Sequence, residues 1–248
     1  RCLSPGSPRS DAALVFGPVN HLFLVRHGEN LANLTKELSS RRVDYSLTPK
    51  GILQAEQTAG HFLAARKAGR VGYNIHAVYS SPLKRARETA EIVAHQLGLP
   101  VVVMENLREI DVGDVELQPP TLEVWALHNR IIESWFKGQV ERAFPNGDNY
   151  ITLCNRMRAG IEQIVAGKDG QSFIVVGHGG IFTVTLPDLC PGVDLSYLRT
   201  ETHNCSISEI EVEWREGRLE GKLIVWASHA HLYGPAAELV SGLPDMKR

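Results

Sequence analysis

The sequence predicts an α/β fold, a three-layer sandwich in which a mainly parallel, mixed sheet is flanked by helices. Three observations predict it. Short apolar runs alternate with helix-period segments as far as residue 177. Two of the runs, Leu22–Arg26 and Phe173–Val176, each deliver a histidine into a glycine turn, as His27-Gly28 and His178-Gly179-Gly180. The last two runs, Ser206–Trp214 and Leu219–Ser228, flank Arg215-Glu216-Gly217, a hairpin signal that puts an antiparallel edge on the sheet.

Residues 1–20 read as a loosely attached lead-in, and 21–248 as a single domain. Leu22–Arg26 is a short buried strand. Residues 28–47 are polar and read as a loop over a pocket. Thr48 and Pro49 start a helix, with threonine as the cap and proline at the first helical position. Ile52, Ala55, Ala59, Phe62 and Leu63 then follow at helical spacing. Ala77-Val78-Tyr79 is a second strand. Ser81-Pro82 repeats the cap-plus-proline signal and opens a helix to about Leu97, closed by Gly98 and Pro100. Pro100–Met104 is a third strand, and 105–120 a loop. Helical patterns over 121–137 and 148–166 are split by Pro145-Asn146-Gly147-Asp148. Phe173–Val176 is the strand that carries His178, and a helix follows Gly180. The segment 114–147 reads as an insertion that serves as a lid. The tail after Tyr233 shows no pattern.

At 248 residues the chain can bury a sizeable core, and 43% hydrophobic with 22% charged residues fits a soluble globular protein. A net charge of −2 demands neither nucleic acid nor a membrane surface as partner. No apolar run approaches the roughly 18 residues of a membrane span. Arg1–Asp11 lack the apolar stretch of a signal peptide, so a cytoplasmic location is expected. Cys2, Cys154, Cys190 and Cys205 include no C-x-x-C pair, which favours buried free thiols over a zinc or redox site. Apolar positions in the 206–228 hairpin would seal either a sheet edge or a homodimer.

In a parallel α/β sheet, ligands bind where strands end and loops begin, so two histidines at two strand ends imply one shared pocket. Lys84 and Arg85 fall in the first turn of a predicted helix, where the dipole favours negative charge, and make sense there if an anion is bound. Glu109 lies in a loop after an apolar run, with Asp111, Asp114 and Glu116 close enough to compete for its role. Arginines, histidines and a carboxylate without metal-ligand spacing suit phosphoryl transfer. The guanidinium fork matches phosphate oxygens, and neighbouring arginines keep an imidazole neutral. Blander readings stand beside these: structural histidines, and surface salt bridges for Arg26 and Arg85. Arg41 and Arg42 are either readers of a second anionic group or a solvated pair. His203, His229 and His231 make no convincing ligand set, and Trp125 and Trp135 read as core or lid packing.

The ordered motifs resemble the histidine phosphatase superfamily, the branch containing cofactor-dependent phosphoglycerate mutase. Arg26-His27-Gly28-Glu29 is similar to its signature, with Asn33 a short step later. Leu47-Thr48-Pro49-Lys50-Gly51 with Gln54-Ala55 looks like its helix start. Ser80-Ser81-Pro82-Leu83-Lys84-Arg85-Ala86 with Thr89 matches a further segment. So do Leu107-Arg108-Glu109 with Gly113 and Glu116, Gly177-His178-Gly179-Gly180, and the late Asn204. The match runs from about Leu22 to Trp214, and the ordered set is far more specific than any one motif.

The resemblance implies a phosphoglycerate mutase-like sheet and a metal-independent, cofactor-free reaction on a small phosphorylated substrate. His27 would attack phosphorus and become phosphohistidine. Arg26, Arg85, His178 and Asn33 would hold the phosphoryl oxygens; Gly179 and, from its place beside the pocket, Arg42 are counted with them as substrate- or phosphate-binding candidates. Glu109 would protonate the leaving oxygen and then activate water. Val115, the Leu117-Gln118-Pro119-Pro120 stretch and Asp148 depart from the family pattern in the region that sets specificity. A short 113–145 segment favours hydrolysis over the shielded phosphohistidine of a mutase. The expected activity is therefore a phosphomonoesterase. The alternatives are a phosphoglycerate mutase and a catalytically silent module that binds a phosphorylated ligand or a protein.

Overall fold

The computed structural model describes residues 19–198 and 201–240. The expected lead-in up to residue 18 and the end of the tail lie outside them, as does Cys2. Six strands form one sheet: β1 (Asn20–Arg26), β2 (Ile75–Ser80), β3 (Val101–Val103), β4 (Ser172–Gly177), β5 (Ile207–Arg215) and β6 (Arg218–Ser228). Their order is β3-β2-β4-β1-β5-β6. β1, β4, β2 and β3 run parallel, while β5 and β6 add the antiparallel edge that the hairpin signal predicted.

Side chains of a strand alternate between its faces, and the two central strands are covered on both. Leu22, Leu24, Phe173 and Val175 share one apolar cluster with α4 (Leu122–Phe136), α5 (Tyr150–Val165) and α6 (Gly179–Leu189). Phe23, Val25, Ile174 and Val176 point the other way, onto α2 (Pro49–Lys67) and α3 (Lys84–Leu97). That is the expected sandwich, and it explains why β1 and β4 read as unbroken apolar runs.

Thr48 caps α2, accepting from the Gly51 amide at 3.1 Å, with Pro49 at the first position. The predicted start at Ser81-Pro82 is corrected: α3 begins at Lys84, and its N-cap position, Leu83, makes no side-chain cap. The Ser81 hydroxyl is engaged instead by a ring nitrogen of His178 at 2.7 Å. The cap comes from a distant loop, where the Asp44 carboxylate accepts from the Lys84 amide at 2.9 Å. The polar 28–47 segment is not all loop. Asn30 and Asn33 cap each other reciprocally and open α1 (Leu31–Thr35). One further short helix, α7 (Leu195–Leu198), follows α6. No helix among the described residues is long and apolar enough to cross a membrane. Cys154, Cys190 and Cys205 are buried and free, and burial pushes each thiol up to about 12.

Candidate active site

The floor of the site is built by backbone register. Arg26 lies opposite Gly177 across the parallel β1–β4 pair, so the next residue of each strand is a histidine. The rings of His27 and His178 stand 5.2 Å apart, and the His27 amide donates to the Gly177 carbonyl at 3.0 Å. The turn after His27 is clamped from three elements. Thr89 of α3 accepts from the Gly28 amide at 3.0 Å, and Gln54 of α2 accepts from the Glu29 amide at 2.9 Å. Asn204 donates to the His27 carbonyl at 3.1 Å and to Oδ1 of Asn33 at 3.1 Å. Gly28 and Gly51 meet backbone to backbone, since a Cβ on Gly51 would lie 2.1 Å from the Glu29 carbonyl oxygen.

The tautomer of His27 follows from its partners. Nε2 lies 3.1 Å from Nε of Arg85, a guanidinium nitrogen that can only donate, so Nε2 accepts. The proton is then on Nδ1, which donates to the Gly28 carbonyl at 2.7 Å. Burial, then the charges of Arg85 and Arg26, holds the imidazole well below its ordinary 6.5. His27 is thus a neutral ring with its basic nitrogen turned toward the cationic end of the site. Arg85 is 2% exposed, and burial lowers it to about 10, still a cation at neutral pH. Its fork is held by the Ser39 hydroxyl at 2.9 Å and the Ser39 carbonyl at 2.7 Å. Arg26 donates to the Thr202 carbonyl. Burial lowers its pKa too, with Glu109 and Glu201 opposing.

Glu109 faces the same cavity on the N-terminus of α6. Its carboxylate accepts from the amides of Ile181 at 2.7 Å, Gly180 at 3.1 Å and its own neighbour Ile110 at 2.9 Å. Gly180 makes room for it, because a Cβ there would sit 2.8 Å from Oε1. The competing carboxylates are spoken for. Asp111 pairs with Arg41 at 2.5 Å, Asp114 accepts from Asn146 at 2.7 Å, and Glu116 caps a loop.

A sequence model of the histidine phosphatase superfamily (branch 1) matches residues 22–224, most of the chain. The chain belongs to this superfamily. Curated relatives include "Probable phosphoglycerate mutase GpmB" of Yersinia enterocolitica, 30% identical over 88% of this chain and 97% of its own length. "Uncharacterized phosphatase PhoE" of Bacillus subtilis is 28% identical over 85% of this chain and 96% of its own. Among solved structures, a phosphoserine phosphatase of Entamoeba histolytica in complex with 3-phosphoglyceric acid superposes with a TM-score of 0.68 at 24% identity. That match covers 86% of this chain and 100% of that one.

Within this histidine phosphatase site, Arg26, His27, Asn33, Arg85, Glu109 and Gly179 all line one cavity of about 860 Å³. His178 lies deeper than expected, fully buried and behind that wall, with Nδ1 lacking a partner among the described residues. Burial and then Arg85 hold its ring well below 6.5. Arg42 is corrected. It is exposed and does not line the cavity, because its backbone amide is fixed by Glu116 at 2.9 Å, one of four consecutive amides gathered by that carboxylate. The anion expected at the start of α3 is also supplied by the protein, as Asp44, which lies 3.6 Å from Arg85 as well. Of the two tryptophans, Trp135 is core, while Trp125 lines the cavity and donates to the Lys36 carbonyl at 2.9 Å. His203 meets His229 edge to face with ring centres 4.6 Å apart, but no metal-competent cluster of three groups occurs among the described residues. Ser39, Asp44 and Thr202 are site-building residues without a distinctive sequence signal.

Proposed function

We propose that this chain is a metal-independent phosphomonoesterase working through a phosphohistidine on His27. The observation that carries the reading is the neutral His27 ring, its unprotonated Nε2 beside the buried Arg85 guanidinium, in the field of half-buried Arg26 and across one cavity from Glu109. The Nε2 lone pair attacks phosphorus, and the bond to the leaving oxygen breaks with its electron pair. A protonated Glu109 gives that oxygen its proton. In the second half, Glu109 takes a proton from water, whose oxygen attacks phosphorus. The phosphorus–nitrogen bond then breaks, returning the lone pair to Nε2 and releasing inorganic phosphate. Arg26 and Arg85 offer their forks to the equatorial oxygens, where charge is stabilised by preorganised donors. Asn33 has Oδ1 committed to Asn30 and Asn204, which leaves its Nδ2 as the donor for phosphate. His178 backs His27, with ring centres 5.2 Å apart. The buried free thiols suit a reducing compartment, which supports cytoplasmic action on a small phosphate ester.

The test is hydrolysis of p-nitrophenyl phosphate in excess EDTA by the parent and by His27→Ala, with alkaline detergent quenching of reactions on phosphorus-labelled substrate to trap labelled enzyme. Turnover that survives EDTA and is lost in the variant, with acid-labile, base-stable label on the parent, is the expected result. Turnover retained by His27→Ala overturns the mechanism. A parent that needs a phosphorylated primer and moves phosphate within phosphoglycerate is a mutase instead.

A further inference from the structure

The cavity has two unlike ends. Arg26, Arg85 and His27 form a polar floor, while Leu38, Trp125, Ile132, Phe136, Val184 and Leu198 give the rest a largely apolar wall, interrupted by Asn129 and Thr183. Half of these apolar residues come from the face that α4 turns inward. Away from the floor the lining charges are largely negative: Glu37, Glu133 and Glu201 line the cavity, and the one further lysine or arginine among the described lining residues is Lys137, which lies 3.7 Å from Glu133. Nearby arginines are turned to other tasks. Arg41 is bound by Asp111, Arg108 by Glu105 at 2.8 Å, and Arg156 by Asp148 at 2.9 Å, and none of the three lines the cavity. His128, also on the wall, is pushed down by burial and so stays uncharged at neutral pH.

Among the described residues, a carboxylate or a second phosphate beyond the phosphate end would meet apolar carbon, glutamates and the neutral Asn129 and Thr183, with Lys137, itself paired to Glu133, as the one cation there. An apolar leaving group meets the opposite situation, because it exchanges water for a carbon-lined wall. We infer that this site takes phosphomonoesters of bulky apolar alcohols or phenols in preference to carboxylate-bearing phosphates, with Trp125, Ile132 and Phe136 of α4 as the specificity-determining wall. The inference deepens the phosphomonoesterase reading and rests on it for the identity of the phosphate end.

Binding of non-hydrolysable phosphonates to the parent protein, read by titration calorimetry, tests it without turnover. The probes are biphenyl-4-ylmethylphosphonate, methylphosphonate and 3-phosphonopropionate. The biphenyl compound should bind about tenfold or more tightly than methylphosphonate, and phosphonopropionate no more tightly than methylphosphonate. Phe136→Ala and Ile132→Ala, both at half-buried positions, should each shrink the biphenyl-to-methyl ratio at least about threefold. A ratio is read, so a general loosening of the phosphate end cancels. Equal affinities, or a preference for phosphonopropionate, overturn the inference even if p-nitrophenyl phosphate is hydrolysed. Binding of none of the three overturns the phosphate end itself, and with it both readings.

Discussion

Gly51→Ala should cripple the site from a position that touches no substrate. A Cβ there would sit 2.1 Å from the Glu29 carbonyl oxygen and 2.9 Å from the Glu29 nitrogen, all backbone that no rotamer change can clear. Restoring an ordinary contact requires the His27–Glu29 turn to recoil by about 1 Å, and a misplacement of that size at catalytic groups costs on the order of a hundredfold in rate. The recoil also pulls on the bond from the Thr48 amide to the Glu29 carbonyl, 2.9 Å long, and on the Gln54 clamp. Overpacking plus one strained hydrogen bond gives a stability loss of about 3 kcal/mol. Gly60 supplies the control on the same helix, because a Cβ there meets nothing within 4 Å. Gly60→Ala should stabilise by about 0.5–1 kcal/mol and leave turnover alone. Urea midpoints and kcat/KM on p-nitrophenyl phosphate compare the two variants. If Gly51→Ala matches Gly60→Ala in both measurements, the backbone contact does not position His27.

Two further outcomes follow from charge. His27 and His178 are both held below 6.5 by burial, so above that pH neither the folded nor the unfolded chain carries their protons. Below it the unfolded chain protonates first. Stability should therefore fall with pH, by up to about 2.7 kcal/mol per unit for the two together, as urea midpoints between pH 7 and 5 would show. Replacing both with glutamine should flatten that slope; an unchanged slope would assign it to other histidines. Glu116 behaves oppositely to an ordinary buried acid: burial alone would raise it, but the amides of Arg41, Ser40, Val43 and Arg42 outweigh that and lower it. Its contribution is present above the unfolded carboxylate range and lost as pH falls through the lowered folded value. Glu116→Gln should cost about 2 kcal/mol at pH 7 and less at pH 4, and should raise KM by freeing the loop that holds Arg85 through Ser39. A loss equal at pH 4 and 7 would refute the charge argument.

The sandwich, the two histidines and the start of α2 were legible because each depends on local chemistry: apolar period, a strand end, a threonine before a proline. Misreadings came where a partner far away in sequence takes over a local signal. Ser81-Pro82 looks like a helix cap, yet the serine is claimed by His178 and the helix is capped by Asp44, forty residues upstream. Arg42 looked like a phosphate reader because it sits beside the pocket in sequence, but Glu116 grips the backbone of 40–43 and leaves its side chain outside the cavity. The Asn30–Asn33 reciprocal cap was missed because asparagine pairs lack the Ser/Thr-to-Glu spacing of the usual box. Thr89, Gln54 and Asn204 were visible only as members of an ordered pattern. The structure supplies their reason: each grips one peptide group of the His27–Glu29 turn.

The charges around His27 then make sense as a balanced set. The guanidiniums of buried Arg85 and half-buried Arg26 share one cavity and repel each other, and Arg26 lowers the affinity of Arg85 for its proton. Without nearby anions they would be costly to bury. The protein supplies those anions, and it places two of them on helix N-termini, where the dipole already favours them: Asp44 on α3 and Glu109 on α6. Glu201 adds its field to Arg26. Each guanidinium is thus fixed by a neighbour whether or not a phosphate is bound, and its donors need no reorganisation when the phosphoryl group arrives. The same carboxylates temper the attraction for a free anion. A site with two arginines and no such neighbours would hold inorganic phosphate tightly and clear its product slowly. Here the positive charge is sufficient to orient a phosphoryl group and is offset enough to let it go.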